Sequence, residues 1–163
     1  MTAKEKEFTR LVKQHKQTIY SICFMHATNK DETQDMMQEA LIQLWRSFDT
    51  FRGESNIRTW IWRVCSNVCI SYCRKENKQA STLHLELADV LDSMESEENK
   101  QIAMLHERIH SLLPFDRTIV LLWMECLSYD EIGQILGITT KNVSVRLLRI
   151  KEQLRKMSNK END

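Results

Sequence analysis

One proline and three glycines in 163 residues leave this chain few places for tight turns, and that scarcity constrains its fold more than any other feature. Gly and Pro punctuate sheets and interrupt helices. Where they are scarce, and Leu, Ile, Met, Glu, Lys and Gln abound without a run of alternating β-branched residues, the backbone is left to helices. The chain therefore reads as all-α. Its length accommodates one domain of ordinary size or two small ones, each with a modest core.

Two of the three glycines stand four apart inside residues 128–149 (Ser-Tyr-Asp-Glu-Ile-Gly-Gln-Ile-Leu-Gly-Ile-Thr-Thr-Lys-Asn-Val-Ser-Val-Arg-Leu-Leu-Arg). Two helices that cross steeply need a small residue at their contact and a permissive one at the turn, which Gly133 and Gly137 supply. Ile132 and Leu136 bury one face of the first helix and Ile138 plugs the turn. Val143, Leu147, Ile150 and Leu154 then form the buried stripe of the second. This is the pattern of a helix-turn-helix. Lys141, Ser144, Val145, Leu148 and Arg149 remain outward, with Arg146 and Lys151 beside them, a face suited to a DNA major groove. Residues 140–157 hold six basic side chains against one acid, Glu152, the electrostatic footprint of phosphate contact.

The net charge is zero, so its distribution matters more than its sum. Residues 1–75, 76–110 and 111–163 carry +4, −5 and +1. Two neutral-to-basic ends flank an acidic middle, as expected if the ends touch DNA and the middle does not. The ends are laid out as an N-terminal domain over 1–77, a flexible acidic linker over 78–98 and a four-helix domain over 99–163 that ends in the helix-turn-helix.

In the N-terminal domain, Phe8, Leu11, Val12, Ile19, Ile22 and Cys23 mark a first amphipathic helix, terminated near Asn29. Asp31 is placed to cap the next, whose buried stripe reads Met37, Ala40, Leu41, Leu44 and Phe48, leaving Asp35, Gln38, Glu39, Ile42, Gln43 and Arg46 outside. After a break at 51–56 a third helix runs over 57–77, with Ile57, Trp60, Ile61, Val64, Val68 and Tyr72 inward. Its other side carries Arg63, Asn67, Ser71, Arg74 and Lys78, a polar stripe that either serves nucleic acid or is simply solvated. In the linker a helical turn is expected near 85–91. The C-terminal domain begins with a helix over 97–113 along Ile102, Leu105, Ile109 and Leu112. Pro114 starts the next, with Ile119, Leu122 and Trp123 as its core, and 158–163 reads as a frayed tail.

Cys23, Cys65, Cys69, Cys73 and Cys126 form neither a paired CxxC nor a regular disulfide framework, which fits a reducing cytoplasm. Cys65, Cys69 and Cys73 fall four apart on one helix and read as small apolar packing. The five histidines offer no convergent ligand set. No metal or cofactor is expected, no nucleophile, base and orienting group recur together, and the chain reads as no enzyme. No signal-like or spanning apolar run is seen.

Laid out in this way, the chain resembles the extracytoplasmic-function group of bacterial RNA polymerase sigma factors over nearly its whole length. The run Asp-Met-Met-Gln-Glu-Ala-Leu-Ile-Gln-Leu-Trp at 35–45 is similar to the family's polymerase-binding helix, and Arg-Thr-Trp-Ile-Trp-Arg-Val-Cys-Ser-Asn at 58–67 to its promoter-melting segment. Leu-Pro at 113–114 and Ser-Tyr-Asp-Glu-Ile-Gly at 128–133 resemble its second domain.

The resemblance implies a sigma factor that binds core polymerase and directs promoter-specific initiation. Asp35, Gln38, Glu39 and Gln43 would meet the clamp coiled coil of the polymerase largest subunit. Arg52, Asn56, Arg58, Arg63, Asn67, Ser71 and Arg74 would engage the −10 element, the 51–56 loop holding an extruded base. Trp60 aligns with a family tryptophan, yet its place in the buried stripe favours packing. Lys141, Ser144, Val145, Arg146, Leu148, Arg149 and Lys151 would hold the −35 element, Arg149 reading a base and Arg146 and Lys151 gripping phosphate.

The implied partners are core polymerase, promoter DNA and an anti-sigma factor. The free chain would be a cytoplasmic monomer with no small-molecule substrate. Many members have Thr-Val-Lys-Ser-Arg where this chain has Asn-Val-Ser-Val-Arg at 142–146, and Asp where Ser71 stands, which shifts sequence preference and weakens a base-reading role for Ser71. The competing reading is an operator-binding regulator that uses the same helix-turn-helix without docking on polymerase.

Overall fold

The computed structural model describes residues 1–51, 53, 56–75 and 97–162, side chains excepted at 97–99, 102, 161 and 162. Every regular element among them is helical, as the scarcity of breakers requires. The chain divides into two units, Met1–Asn77 and Lys78–Asp163. Most of the acidic middle, with the turn expected at 85–91 and the end of the third helix at 76–77, lies outside the described residues.

The first unit contains α1 (Ala3–His26), α2 (Lys30–Ser47), a single 3₁₀ turn (Phe48–Thr50) and α3 (Ile57–Lys75). The three helices pack pairwise around Ile19, Ile22 and Cys23 of α1, Met36, Ala40 and Leu44 of α2, and Ile61, Cys65 and Cys69 of α3, all but solvent-free. Each such aliphatic side chain stabilises the unit by about 1.5–3 kcal/mol.

α1 starts with a capping box. The Glu5 N–H donates to Thr2 Oγ1 at 3.1 Å and the Thr2 N–H donates to Glu5 Oε2 at 2.7 Å. Asn29, read above as a terminator, is the N-cap of α2 and accepts the Glu32 N–H at 2.8 Å, while Asp31 is exposed in the first turn. The buried seam of α2 is rotated from the expected stripe: Met36 is fully buried, whereas Met37, Leu41 and Phe48 are half-buried. α2 packs against both α1 and α3, so its seam lies between the faces that a single partner would select.

α3 is buried more widely than a one-sided stripe predicts. Trp60, Trp62, Cys65, Ser66, Cys69, Ile70 and Cys73 are buried beside Ile61 and Val68, while Ile57, Val64 and Tyr72 are half-buried. It touches both other helices, so only a narrow strip stays free. Trp60 packs against Phe51 and Phe48, ring centroids 4.9 and 6.4 Å apart, in agreement with its place in the core.

The second unit contains α4 (Glu97–His110), α5 (Pro114–Met124), α6 (Tyr129–Leu136) and α7 (Thr140–Asn162), the expected four helices. Ile109, Leu112, Ile119, Leu122, Ile132, Val143, Leu147 and Ile150 form its core. Pro114 occupies the first turn of α5. The buried Arg117 guanidinium donates to the His110 and Leu112 carbonyls at 2.7 and 2.9 Å, which satisfies acceptors at the end of α4.

Two expectations fail here. Trp123 is 39% exposed, outside the core, and Lys151 lies 4.2 Å above its ring at the surface. The 158–163 segment is no frayed tail as far as it is described, since α7 continues to Asn162.

Candidate functional site

The helix-turn-helix is built from α6 and α7. Ser128 caps α6 in a second capping box, accepting the Glu131 N–H at 3.1 Å. Gly137 ends α6 at φ 72°, ψ 32°, the left-handed conformation that costs a side chain-bearing residue most. Gly133 serves close packing instead: a Cβ on it would lie 2.6 Å from the Ile138 carbonyl oxygen. Thr139 Oγ1 accepts the Asn142 N–H at 3.1 Å to cap α7, and the Thr140 hydroxyl donates to the Asp130 carboxylate across the turn. These contacts fix the angle at which α7 leaves the unit.

On α7, Lys141, Ser144, Val145, Arg146, Leu148, Arg149 and Lys151 are all exposed. Leu148 is 71% exposed and Val145 40%. Two of the cations are held by α5: the Arg146 guanidinium lies 3.3 Å from Asp116 Oδ1 and 4.8 Å from the Phe115 ring centroid, and Lys151 covers Trp123. Sequence spacing along α7 could not show these partners, since they sit on another helix. Farther along, Leu148, Arg149, Glu152, Gln153 and Lys156 line a shallow groove of about 570 Å³. Arg155 donates to both Glu152 oxygens at 2.5 and 2.7 Å, and its hydrogen bonding holds the Glu152 carboxyl below the usual range.

In the first unit the exposed face of α2 and the free strip of α3 enclose a groove of about 1050 Å³. Asp35, Gln38, Glu39, Ile42, Gln43 and Ser47 form one wall, and Val64, Asn67, Val68, Ser71, Tyr72 and Lys75 the other. Gln43 Nε2 donates to Glu39 Oε1 at 3.1 Å, tying two of the wall residues together. All four residues expected to face polymerase are thus gathered with Asn67 and Ser71 of the polar stripe. Arg63 and Arg74 are not among the lining residues. Arg74 and Arg58 are exposed, and Arg63 is half-buried. Asn56 caps α3, its side-chain oxygen accepting the Arg58 N–H at 2.9 Å. Arg52 lies outside the described residues. Sequence reasoning missed Ser47, Val64, Tyr72 and Lys75 as groove residues, because their shared surface appears only once α2 and α3 are side by side.

All five cysteines are free thiols. The Cys69 and Cys23 sulfurs are 4.0 Å apart, and their hydrogen bond and then burial push the Cys69 thiol up. Burial does the same at Cys65. Cys65 and Cys69 therefore stay protonated and pack as apolar groups. Among the described residues no group of three or more His, Cys, Asp or Glu side chains could hold a metal ion, and no helix is long and apolar enough to cross a membrane.

The family model Sigma-70 region 2 matches residues 11–79, and Sigma-70, region 4 matches residues 102–154. The RNA polymerase sigma factor SigV of Bacillus subtilis is 30% identical over 148 residues, 90% of this chain and 88% of that protein. The chain belongs to the extracytoplasmic-function group of RNA polymerase sigma factors. It is an alternative sigma factor, a DNA-binding protein that directs transcription initiation on RNA polymerase. The ECF RNA polymerase sigma factor SigW of Bacillus subtilis is 28% identical, with 91% of this chain and 87% of that protein covered. The fold matches that of the sigma factor RpoE solved with the anti-sigma factor NepR from Bartonella quintana: TM-score 0.70, 17% identity, 94% of this chain and 98% of that one. In this sigma factor the α2–α3 groove falls within region 2 and the helix-turn-helix within region 4.

Proposed function

We propose that the α2 wall of the region 2 groove, Asp35, Gln38, Glu39 and Gln43, docks on the clamp coiled coil of the polymerase largest subunit. The observation that carries this reading is the groove itself, which gathers acid and amide side chains along one open surface. Such a surface complements a basic helical partner and steers its approach. Arg58, Arg63, Asn67, Ser71 and Arg74, with Arg52 and Asn56 of the preceding loop, engage and open the −10 element. Asn67 and Ser71 stand where the DNA face meets the polymerase face, and Asn56 divides its side chain between capping α3 and any base contact. The outward face of α7, Lys141, Ser144, Val145, Leu148 and Arg149, reads −35. Arg146 and Lys151, braced on α5, present charge to phosphate from fixed positions.

In this reading residues 1–77 and 99–163 are separate working domains joined by 78–98. Joining two weak sites raises their combined affinity through effective concentration once polymerase fixes their separation. The sigma factor catalyses nothing itself, is monomeric when free, acts in the cytoplasm, and is held off promoters by an anti-sigma factor, as the structural neighbour is found with one.

Assembly with purified core polymerase tests the proposal. Asp35→Lys together with Glu39→Lys should weaken binding at least tenfold, while affinity for a −35 duplex stays unchanged. Undiminished assembly would remove the groove from polymerase docking.

A further inference from the structure

The outer face of α1 takes no part in the functions assigned so far, yet its composition is unlike a mixed solvated surface. Ile19, Ile22, Cys23 and His26 define the buried side of the helix. On the opposite side Lys6, Arg10, Lys13, Gln17, Tyr20 and Phe24 follow one another at intervals of four, three, four, three and four, one continuous stripe. All are exposed except the half-buried Phe24. Three cations fall on it and no carboxylate does. Glu5 belongs to the capping box on another side of the helix, and Glu7 lies off the stripe. Among the described residues, the cations Lys6, Arg10 and Lys13 have no ion-pair partner, whereas Lys4, off the stripe, pairs with Asp49 at 2.7 Å.

The stripe ends in two aromatic rings. Tyr20 and Phe24 stack with centroids 5.9 Å apart and planes 19° from parallel, and Tyr20 is 43% exposed. Cations along a line, followed by exposed ring surface, are the two components with which proteins hold single-stranded nucleic acid regardless of sequence: charge follows the backbone and a ring stacks a base. The stripe extends roughly 27 Å along the helix, enough for several nucleotides. A protein partner of acidic character would match the cations but would leave the stacked rings unexplained.

We infer that the outer face of α1 is a third nucleic-acid site of this sigma factor, which holds a single strand by its backbone at Lys6, Arg10 and Lys13 and stacks a base on Tyr20. The site lies on the opposite side of α1 from the core it shares with α2 and α3, and it needs no promoter sequence.

The test uses the full chain and a 20-nucleotide oligothymidine, with binding followed by fluorescence anisotropy over a range of salt concentrations. Lys6→Gln, Arg10→Gln and Lys13→Gln together should reduce the slope of log K against log salt by about 2, because each neutralised phosphate contributes about 0.7 for a single strand. Tyr20→Ala should weaken the strand roughly tenfold yet leave a duplex of the same length unaffected, since only unpaired bases offer a face for stacking. All four positions are exposed, and circular dichroism verifies that the variants fold. An unchanged slope in the triple variant would overturn the inference. So would polyglutamate binding as tightly as the strand with no effect of Tyr20→Ala, which would make the face a general polyanion surface. Neither failure bears on polymerase docking, which is measured by assembly.

Discussion

Replacing Gly137 by alanine isolates the conformational cost of the helix-turn-helix turn. Gly137 sits at φ 72°, and an added Cβ would meet nothing within 4 Å, so the substitution introduces backbone strain without a clash. A residue with a Cβ loses about 1–2 kcal/mol in the left-handed conformation, and alanine recovers roughly 0.4–1 kcal/mol by restricting the unfolded chain. The net loss is about 1 kcal/mol, roughly a fivefold rise in the open fraction. Amide hydrogen exchange of peptides covering 128–150 in the full chain reads that opening locally. Gly137→Asn should lose less, because asparagine tolerates this conformation better than alanine. Gly133→Val should lose considerably more, since its Cβ meets the Ile138 carbonyl oxygen at 2.6 Å and a backbone atom cannot rotate away. Equal or slower exchange in Gly137→Ala would refute the assignment of that glycine to conformation.

Thiol titration of the native protein should modify one cysteine in five, the exposed Cys126; Cys23, Cys65, Cys69 and Cys73 are buried and should react only in denaturant. Burial lowers the His106 pKa, so the unfolded state takes up a proton first as pH falls; stability attributable to this group is complete above about pH 6.5 and is lost below it. Urea midpoints at pH 7.5 and 5.5 should show that loss, and His106→Gln should reduce it. Leu148→Ala should leave folding stability within about 0.5 kcal/mol, because the side chain is 71% exposed, while lowering affinity for a −35 duplex through lost apolar contact with the groove.

What could be read from the sequence follows from how local each signal is. The helix-turn-helix was legible because its glycines and the spacing of Val143, Leu147 and Ile150 all lie within one short segment, whereas the Ser128 capping box appeared only in the structure. Ile19, Ile22 and Cys23 of α1 were legible for the same reason, whereas Phe8, Leu11 and Val12 of the expected stripe are half-buried and the buried His26 was not foreseen. The seam of α2 was displaced toward Met36 because two neighbours compete for it, and α3 buries several faces because it touches both other helices. Trp123 looked like core by its apolar character, yet a lysine from α7 covers its ring at the surface, and no pattern within α5 contains that lysine. The region 2 groove was half legible. Its acid and amide wall lies on one helix, whereas Val64, Tyr72 and Lys75 join it only through the packing of α2 on α3.

Run-off transcription tests the division of labour most directly. Purified bacterial core polymerase is mixed with this sigma factor, or with its Asp35→Lys, Glu39→Lys variant, on a template whose −35 and −10 elements are altered one at a time. A transcript that requires the sigma factor and both elements, and that the variant fails to support, is the predicted result. A transcript independent of the −10 element, or undiminished in the variant, would contradict the account.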